Sequence, residues 1–135
     1  MTGWSLEYSF DVDVDNAIIY EKIFGIWKLA TADKYYEDFK EEVKPLVGKP
    51  WAKLVDLTNW KTSYPEVIKK IGEHLEWCRK NGMVLSINVL NNPSTFRQLN
   101  EMFAVGDTKN MSQVFRTHAE ARKYLEEHWF NREHK

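Results

Sequence analysis

Cysteine is nearly missing: Cys78 is the single thiol among 135 residues. That excludes an internal disulfide and a thiolate cage for a metal, and it fits a reducing compartment. No sign of charge dominates, since nineteen Lys and Arg stand against twenty Asp and Glu for a net charge of -1. The basic excess usual in a nucleic-acid-binding chain is therefore absent. No apolar run approaches the ~18 residues of a membrane-spanning helix. The opening Met1-Thr2-Gly3-Trp4 has no basic segment leading into an apolar one, so no secretory signal is expected. Glycine-rich phosphate loops, a nucleophile elbow and zincin histidine spacing are missing as well. There is no linker, repeat or low-complexity stretch. The expectation is a soluble, cytoplasmic, single-domain chain over residues 1–135, with a polar tail over about 131–135 and no metal or cofactor.

What is present is an ordinary core-forming composition, 43% apolar and 29% charged, which excludes disorder. At this length roughly two-thirds of the unfolded surface can be buried without staples. Aromatics are in excess, with six Trp, six Tyr and seven Phe. So many large rings cannot all lie inside, and those left outside are of functional interest.

The chain opens with strict alternation. Trp4, Leu6, Tyr8, Phe10, Val12 and Val14 are apolar, and the residues between them are polar, as in a strand with one wet face. Asp15-Asn16 reads as a tight turn with left-handed backbone. A second strand from Ala17 to about Trp27 is apolar on both faces. From Thr31, an apparent N-cap, the period turns helical through Ala32, Tyr35, Phe39, Val43 and Leu46, ending at Gly48 and Pro50. A short strand over Ala52–Leu57 and a polar loop over Thr58–Ser63 follow. Ser63, Pro65 and Glu66 then form a capping-box pattern that opens a helix with stripe Tyr64, Val67, Ile68, Ile71, Leu75 and Cys78. Asn81-Gly82 ends it. Met83–Leu90 is the most apolar strand. Asn91-Asn92-Pro93 opens a third helix with Phe96, Leu99, Met102 and Phe103, which stops near Gly106. A strand over Met111–Phe115 leads to a second capping box at Thr117–Glu120. The last helix carries Ala121, Tyr124, Leu125, His128 and Trp129. The order is ββαβαβαβα, which predicts an α/β fold with a mostly parallel five-stranded sheet and an antiparallel N-terminal edge strand.

Few residues carry a chemical signal. Asp11-x-Asp13-x-Asp15 resembles a calcium loop, but Lys22 stands where the bidentate acid belongs, and the alternation is that of a wet strand face. His74, at the edge of a helical stripe, and His118, in a first helical turn, read as core-edge or surface residues. Cys78 falls on an apolar stripe and reads as an inert thiol. In open α/β sheets, ligands gather outside the carboxyl ends of the strands. Here that edge holds Asp56–Ser63, Asn91–Thr95 and Arg116-Thr117 beside helix N-termini suited to an anion, while capping alone also accounts for Ser63, Asn92 and Thr117.

The element order, the Leu-Val-Asp-Leu-Thr strand end (Leu54–Thr58) and the Val-Phe-Arg-Thr-x-x-Glu-Ala run (Val114–Ala121) resemble SpoIIAA-like proteins of the STAS superfamily, the sulfate-transporter and anti-sigma-factor-antagonist domains. The resemblance implies a β-α superhelix around one sheet in a cytoplasmic, non-catalytic bacterial regulatory domain. In anti-sigma antagonists a serine of an Asp-Ser-Ser/Thr-Gly motif opens the second helix and is phosphorylated by a partner kinase. By position the counterparts here are Ser63 and Thr62, although the local sequence is Lys61-Thr62-Ser63-Tyr64-Pro65, without that aspartate or glycine. The SpoIIAA-like branch also implies binding of lipid-like amphiphiles.

Two readings follow. One is a regulatory module acting by protein-protein contact or self-association, with a patch around Trp60, Ser63 and Trp77, the last lying off its helix stripe. The other is a carrier or sensor with an apolar groove near Trp60, Met102, Phe103 and Asn92, in which peripheral membrane contact has a place. An enzyme built on Asp56, Ser63 and a histidine is the third, with no spacing in its support.

Overall fold

The structure is a computed structural model that describes residues 7–130. Trp4, Leu6, His134 and the polar tail 131–135 lie outside the described residues. Strands β1 (Tyr8–Asp13), β2 (Ile18–Trp27), β3 (Trp51–Ser63), β4 (Met83–Val89) and β5 (Ser112–Phe115) form one sheet in the order 1-2-3-4-5. β1 runs antiparallel to β2 and every other pairing is parallel, as the ββαβαβαβα order predicts.

A sheet whose spatial order equals its chain order has every crossover step in the same direction. Crossovers of one hand then place their helices on one face. Accordingly α1 (Leu29–Glu42), α2 (Pro65–Lys80) and α3 (Pro93–Gly106) share one core with Ile19, Ile23, Val55 and Leu57. The final helix α4 (His118–Leu125), which connects no strands, and the π-helical turn that follows it (Glu126–Phe130) cover the other face with Ala121, Leu125 and Trp129 against Ile18, Ala52, Ile87 and Val89. The α1 stripe is buried as expected, and Ala32, Tyr35, Phe39, Val43 and Leu46 are all core. No helix among the described residues is long and apolar enough to cross a membrane.

Several local expectations are corrected. The left-handed residue of the hairpin turn is Ala17, not Asp15 or Asn16, because Asp13 accepts from the Asn16 amide and side chain and sets the turn one residue later. α1 begins at Leu29 with Lys28 as N-cap, so Thr31 lies inside the helix. Phe96 and His128 stand exposed; His128 stacks on Tyr124 at 4.1 Å between ring centroids. The largest change is in β3, which runs to Ser63 where a polar loop was expected. Two register shifts let Thr62 and Ser63 pair with Ile26 and Trp27. Ser63 is thus a strand residue, and the N-cap of α2 is Tyr64, whose side chain makes no cap hydrogen bond. The N-caps at Thr117 and Asn92 are present as read: Thr117 accepts from the Glu120 amide and Asn92 from the Ser94 amide, while the Glu120 carboxylate accepts from the Thr117 hydroxyl. Gly82 closes α2 at φ 111°, where a Cβ would meet the Lys49 carbonyl at 2.7 Å.

Candidate functional site

A strand buried on both faces leaves no wet position, so polar residues in β2 and β3 are forced inside. Glu21 and Lys53 are such residues. The parallel register sets Ile19 beside Lys53 and Glu21 beside Val55, which brings both side chains under α1 and α2. Lys53 Nζ lies 3.4 Å from Glu21 Oε2, and their side chains are 4% and 0% exposed. The Tyr35 hydroxyl donates to the other Glu21 oxygen. Lys53 Nζ is also 3.5 Å from His74 Nε2 and 5.2 Å from the centre of the Phe39 ring. An ammonium only donates. Nε2 therefore faces it as acceptor and the imidazole proton sits on Nδ1, which has no hydrogen-bond partner.

Burial decides the charge of this cluster. Desolvation, with Glu21 nearby, pushes the Tyr35 hydroxyl well above its ordinary range, so it remains a donor. Desolvation and then the charges of Lys53 and Lys40 hold His74 well below the usual imidazole range, so the ring is neutral. Cys78 Sγ lies 3.6 Å from His74 Nε2, but burial pushes the thiol up to about 12. A thiol so placed is not a nucleophile at neutral pH. The cluster is therefore one compensated ion pair among neutral groups.

Beside it is a partly open cavity of about 50 Å³. Trp27, Trp60, Leu99, Met102 and Phe103 form apolar walls, and Tyr35, Lys53, Ser63 and Asn88 are its polar members. Asn88 is buried and donates to Ser86 Oγ at 3.1 Å and the Gln113 carbonyl at 3.2 Å. The Trp60 indole donates to Ser63 Oγ at 3.0 Å. Gln98 of α3 clasps the free side of β3, accepting from the Ser63 amide at 3.0 Å and donating to Thr62 Oγ1 at 2.9 Å.

Four residues singled out in the sequence, Trp60, Ser63, Met102 and Phe103, thus line one cavity. Thr62 stands at its rim through Gln98. Trp77 does not belong to it. Its ring is half-buried, about 6.4 Å from Tyr36 and Phe39, so it helps seal α1 to α2 and is not the free surface its spacing suggested. Asn92 caps α3, accepting from the Ser94 amide at 2.9 Å, and borders a separate groove with Phe96, Phe115 and Arg116. The members that pattern reading passed over are Glu21, Lys53, Tyr35, His74 and Asn88. A signal existed for three of them. Glu21 interrupts a strand read as buried on both faces, Lys53 stands between Ala52 and Leu54 in a short strand, and His74 lies three residues after Ile71 and four before Cys78, on the stripe itself.

On the opposite face Asp56 Oδ2 meets His118 Nε2 at 3.2 Å, and Thr58 donates to Asp56 Oδ1 through its amide and hydroxyl. Burial alone would raise the Asp56 carboxyl; the Thr58 bonds and the His118 ring outweigh it and hold it below its usual range. Ser63 is on the cavity side, so Asp56, Ser63 and His118 do not assemble. Among the described residues no group of three His, Cys, Asp or Glu is placed to hold a metal ion.

No family model matches the sequence, and no curated protein matches it. Solved structures do. A protein of the DUF3478 family from Shewanella loihica PV-4, described as uncharacterized and SpoIIAA-like in fold, superposes with a TM-score of 0.62 at 12% identity, over 93% of this chain and 98% of that one. The Bacillus cell fate determinant SpoIIAA, in its phosphorylated form, superposes with a TM-score of 0.52 at 10% identity, over 87% and 99%.

Proposed function

We propose that this chain, whose fold is SpoIIAA-like, is a regulatory or interaction module without catalysis of its own, acting by contact with a protein partner. The observation that carries this is a rim of exposed apolar side chains at the carboxyl end of the two longest strands. Ile26 is the last residue but one of β2, Leu29 opens α1 and Tyr64 is the N-cap of α2, and they are 51%, 41% and 47% exposed. All three lie within a few residues of the hydrogen bond from the Tyr64 amide to the Trp27 carbonyl. Lys28 and Lys61 are exposed at the same end. An apolar centre with a charged margin of Lys28, Lys61 and Glu66 suits a protein surface that is apolar with charged edges. The interior argues against chemistry, because the contact between Cys78 and His74 pairs a buried, protonated thiol with a neutral ring. Ser63 and Thr62 stay the candidates for a phosphate switch. A phosphate has no room where Ser63 is 7% exposed, so modification there would act by opening the Gln98 clasp. The test is capture from the native host's extract with the chain and with a Leu29→Glu/Tyr64→Glu variant. A stoichiometric partner lost in the variant is the expected outcome; equal capture by both contradicts the site.

A second reading, a carrier or sensor of a lipid-like amphiphile, is favoured by the cavity at Trp60 and Phe103. Its apolar walls and few polar members, Lys53 and Asn88 among them, are what an amphiphile's first carbons and head require.

A further inference from the structure

We propose that the cavity beside Lys53 binds a small apolar molecule through a neutral hydrogen-bond-accepting head, a carbonyl group of the carboxamide type rather than a carboxylate. The proposal rests on the carrier or sensor reading and specifies that its ligand's head is uncharged.

The buried ammonium of Lys53 has unmet hydrogen bonds. Lys53 is 3% exposed and has three N–H donors. Its polar partners, Glu21 Oε2 at 3.4 Å and His74 Nε2 at 3.5 Å, are both beyond the ~2.7–3.2 Å of a well-made N–H bond. Glu21 Oε2 makes no hydrogen bond within the usual limits. A third donor has no partner among the described residues, and Lys53 is one of the residues that line the cavity. Leaving a buried ammonium short of acceptors is unfavourable. An acceptor in the cavity supplies what is missing. Asn88 lines the same space and has its amide nitrogen committed to Ser86 and Gln113, which leaves its oxygen to receive an N–H from the same head.

Charge then selects the head. Glu21 already cancels Lys53, while Tyr35 keeps its proton and His74 is neutral. A carboxylate would bring an uncompensated negative charge close to Glu21 in a buried site, whereas a neutral carbonyl adds none. The volume sets the size. About 50 Å³ compares with the ~10–15 Å³ of such space that one water needs, so the enclosed part has room for a head group of a few heavy atoms.

Isobutyramide and isobutyrate share a shape and differ in charge, which makes them the probes. Each is titrated into the isotope-labelled protein while the indole N–H signals of Trp27 and Trp60 are followed by NMR. The expected result is saturable shifts, with isobutyramide binding roughly tenfold or more tighter. That preference should vanish in a Glu21→Gln/Lys53→Met variant, which removes both charges together; the comparison on the unaltered chain needs no variant. Equal or tighter binding of isobutyrate overturns the inference and leaves the carrier reading standing. A preference kept in the folded double variant also overturns it, since Lys53 is then not what reads the head. If neither probe, nor oleamide nor oleate, moves the indole signals, the cavity is a water site and both readings fall.

Discussion

His74 is fully buried, with one ring nitrogen facing an ammonium and the other without a hydrogen-bond partner. Burial first, and Lys53 and Lys40 after it, keep the native ring neutral, so its folded pKa lies below the ordinary 6.5. The unfolded chain has no such constraint and takes up the proton first as pH falls. This contribution to stability is therefore complete above about pH 6.5 and is lost below it, at about 1.4 kcal/mol per pH unit until the folded pKa is reached. Urea melts from neutral pH downward should show that slope, and His74→Gln should remove it even if the variant is less stable overall. An unchanged slope would assign the acid sensitivity to other groups. At this scale the sequence was informative where it was read for apolar residues and silent where a polar residue occupied an apolar pattern. Lys53 stands between Ala52 and Leu54, and only the sheet register shows that its partner is Glu21, thirty-two positions earlier.

Elements were legible to the extent that their causes are local. The N-cap at Thr117 needs four consecutive residues, and Thr117 accepts from the Glu120 amide as read. β3 needed more. Its last residues pair with the end of β2 after two register shifts, and Gln98 from α3 supplies the bonds that a strand would have supplied on the other side. Neither cause is visible in the stretch Thr58–Ser63, which by itself has the composition of a loop. The contact between α2 and α3 is of the same long-range kind. A Cβ on Gly72 would lie 2.3 Å from Val105 Cγ1, and one on Gly106 would lie 2.6 Å from the Gly72 carbonyl. Alanine at position 72 gains up to about 1 kcal/mol of helix propensity but collides with a side chain, and overpacking of this kind costs about 1–3 kcal/mol. Gly72→Ala should therefore lower stability in a thermal or urea melt, and Gly72→Ala/Val105→Ala should recover little of the loss, because the Cβ at position 105 itself would lie 2.4 Å from the new methyl. A single variant as stable as the parent would mean that the helices are less closely packed than described.

Across the whole molecule, chain order equals sheet order, and this accounts for the division of labour between the faces. Three crossover helices share the face that holds the ion pair and the cavity, and the one helix that connects nothing closes the other. That much follows from alternating strands and helices, and it is the part shared with SpoIIAA-like structures at 10–12% identity. The surface is less conventional: apolar side chains cluster where β2 and β3 outrun their neighbours and α1 and α2 begin. Val84, at the start of β4, is 48% exposed and comparably apolar, but stands at the opposite, amino end of the sheet. This pair of sites permits the most direct test of the central claim, that the carboxyl-end rim is where a protein partner docks. A photo-crosslinking amino acid is placed at position 64 or at position 84, and the protein is irradiated in its native host. The account predicts one discrete protein adduct from position 64 and none from position 84. No adduct from 64, or the same adducts from both, would contradict it.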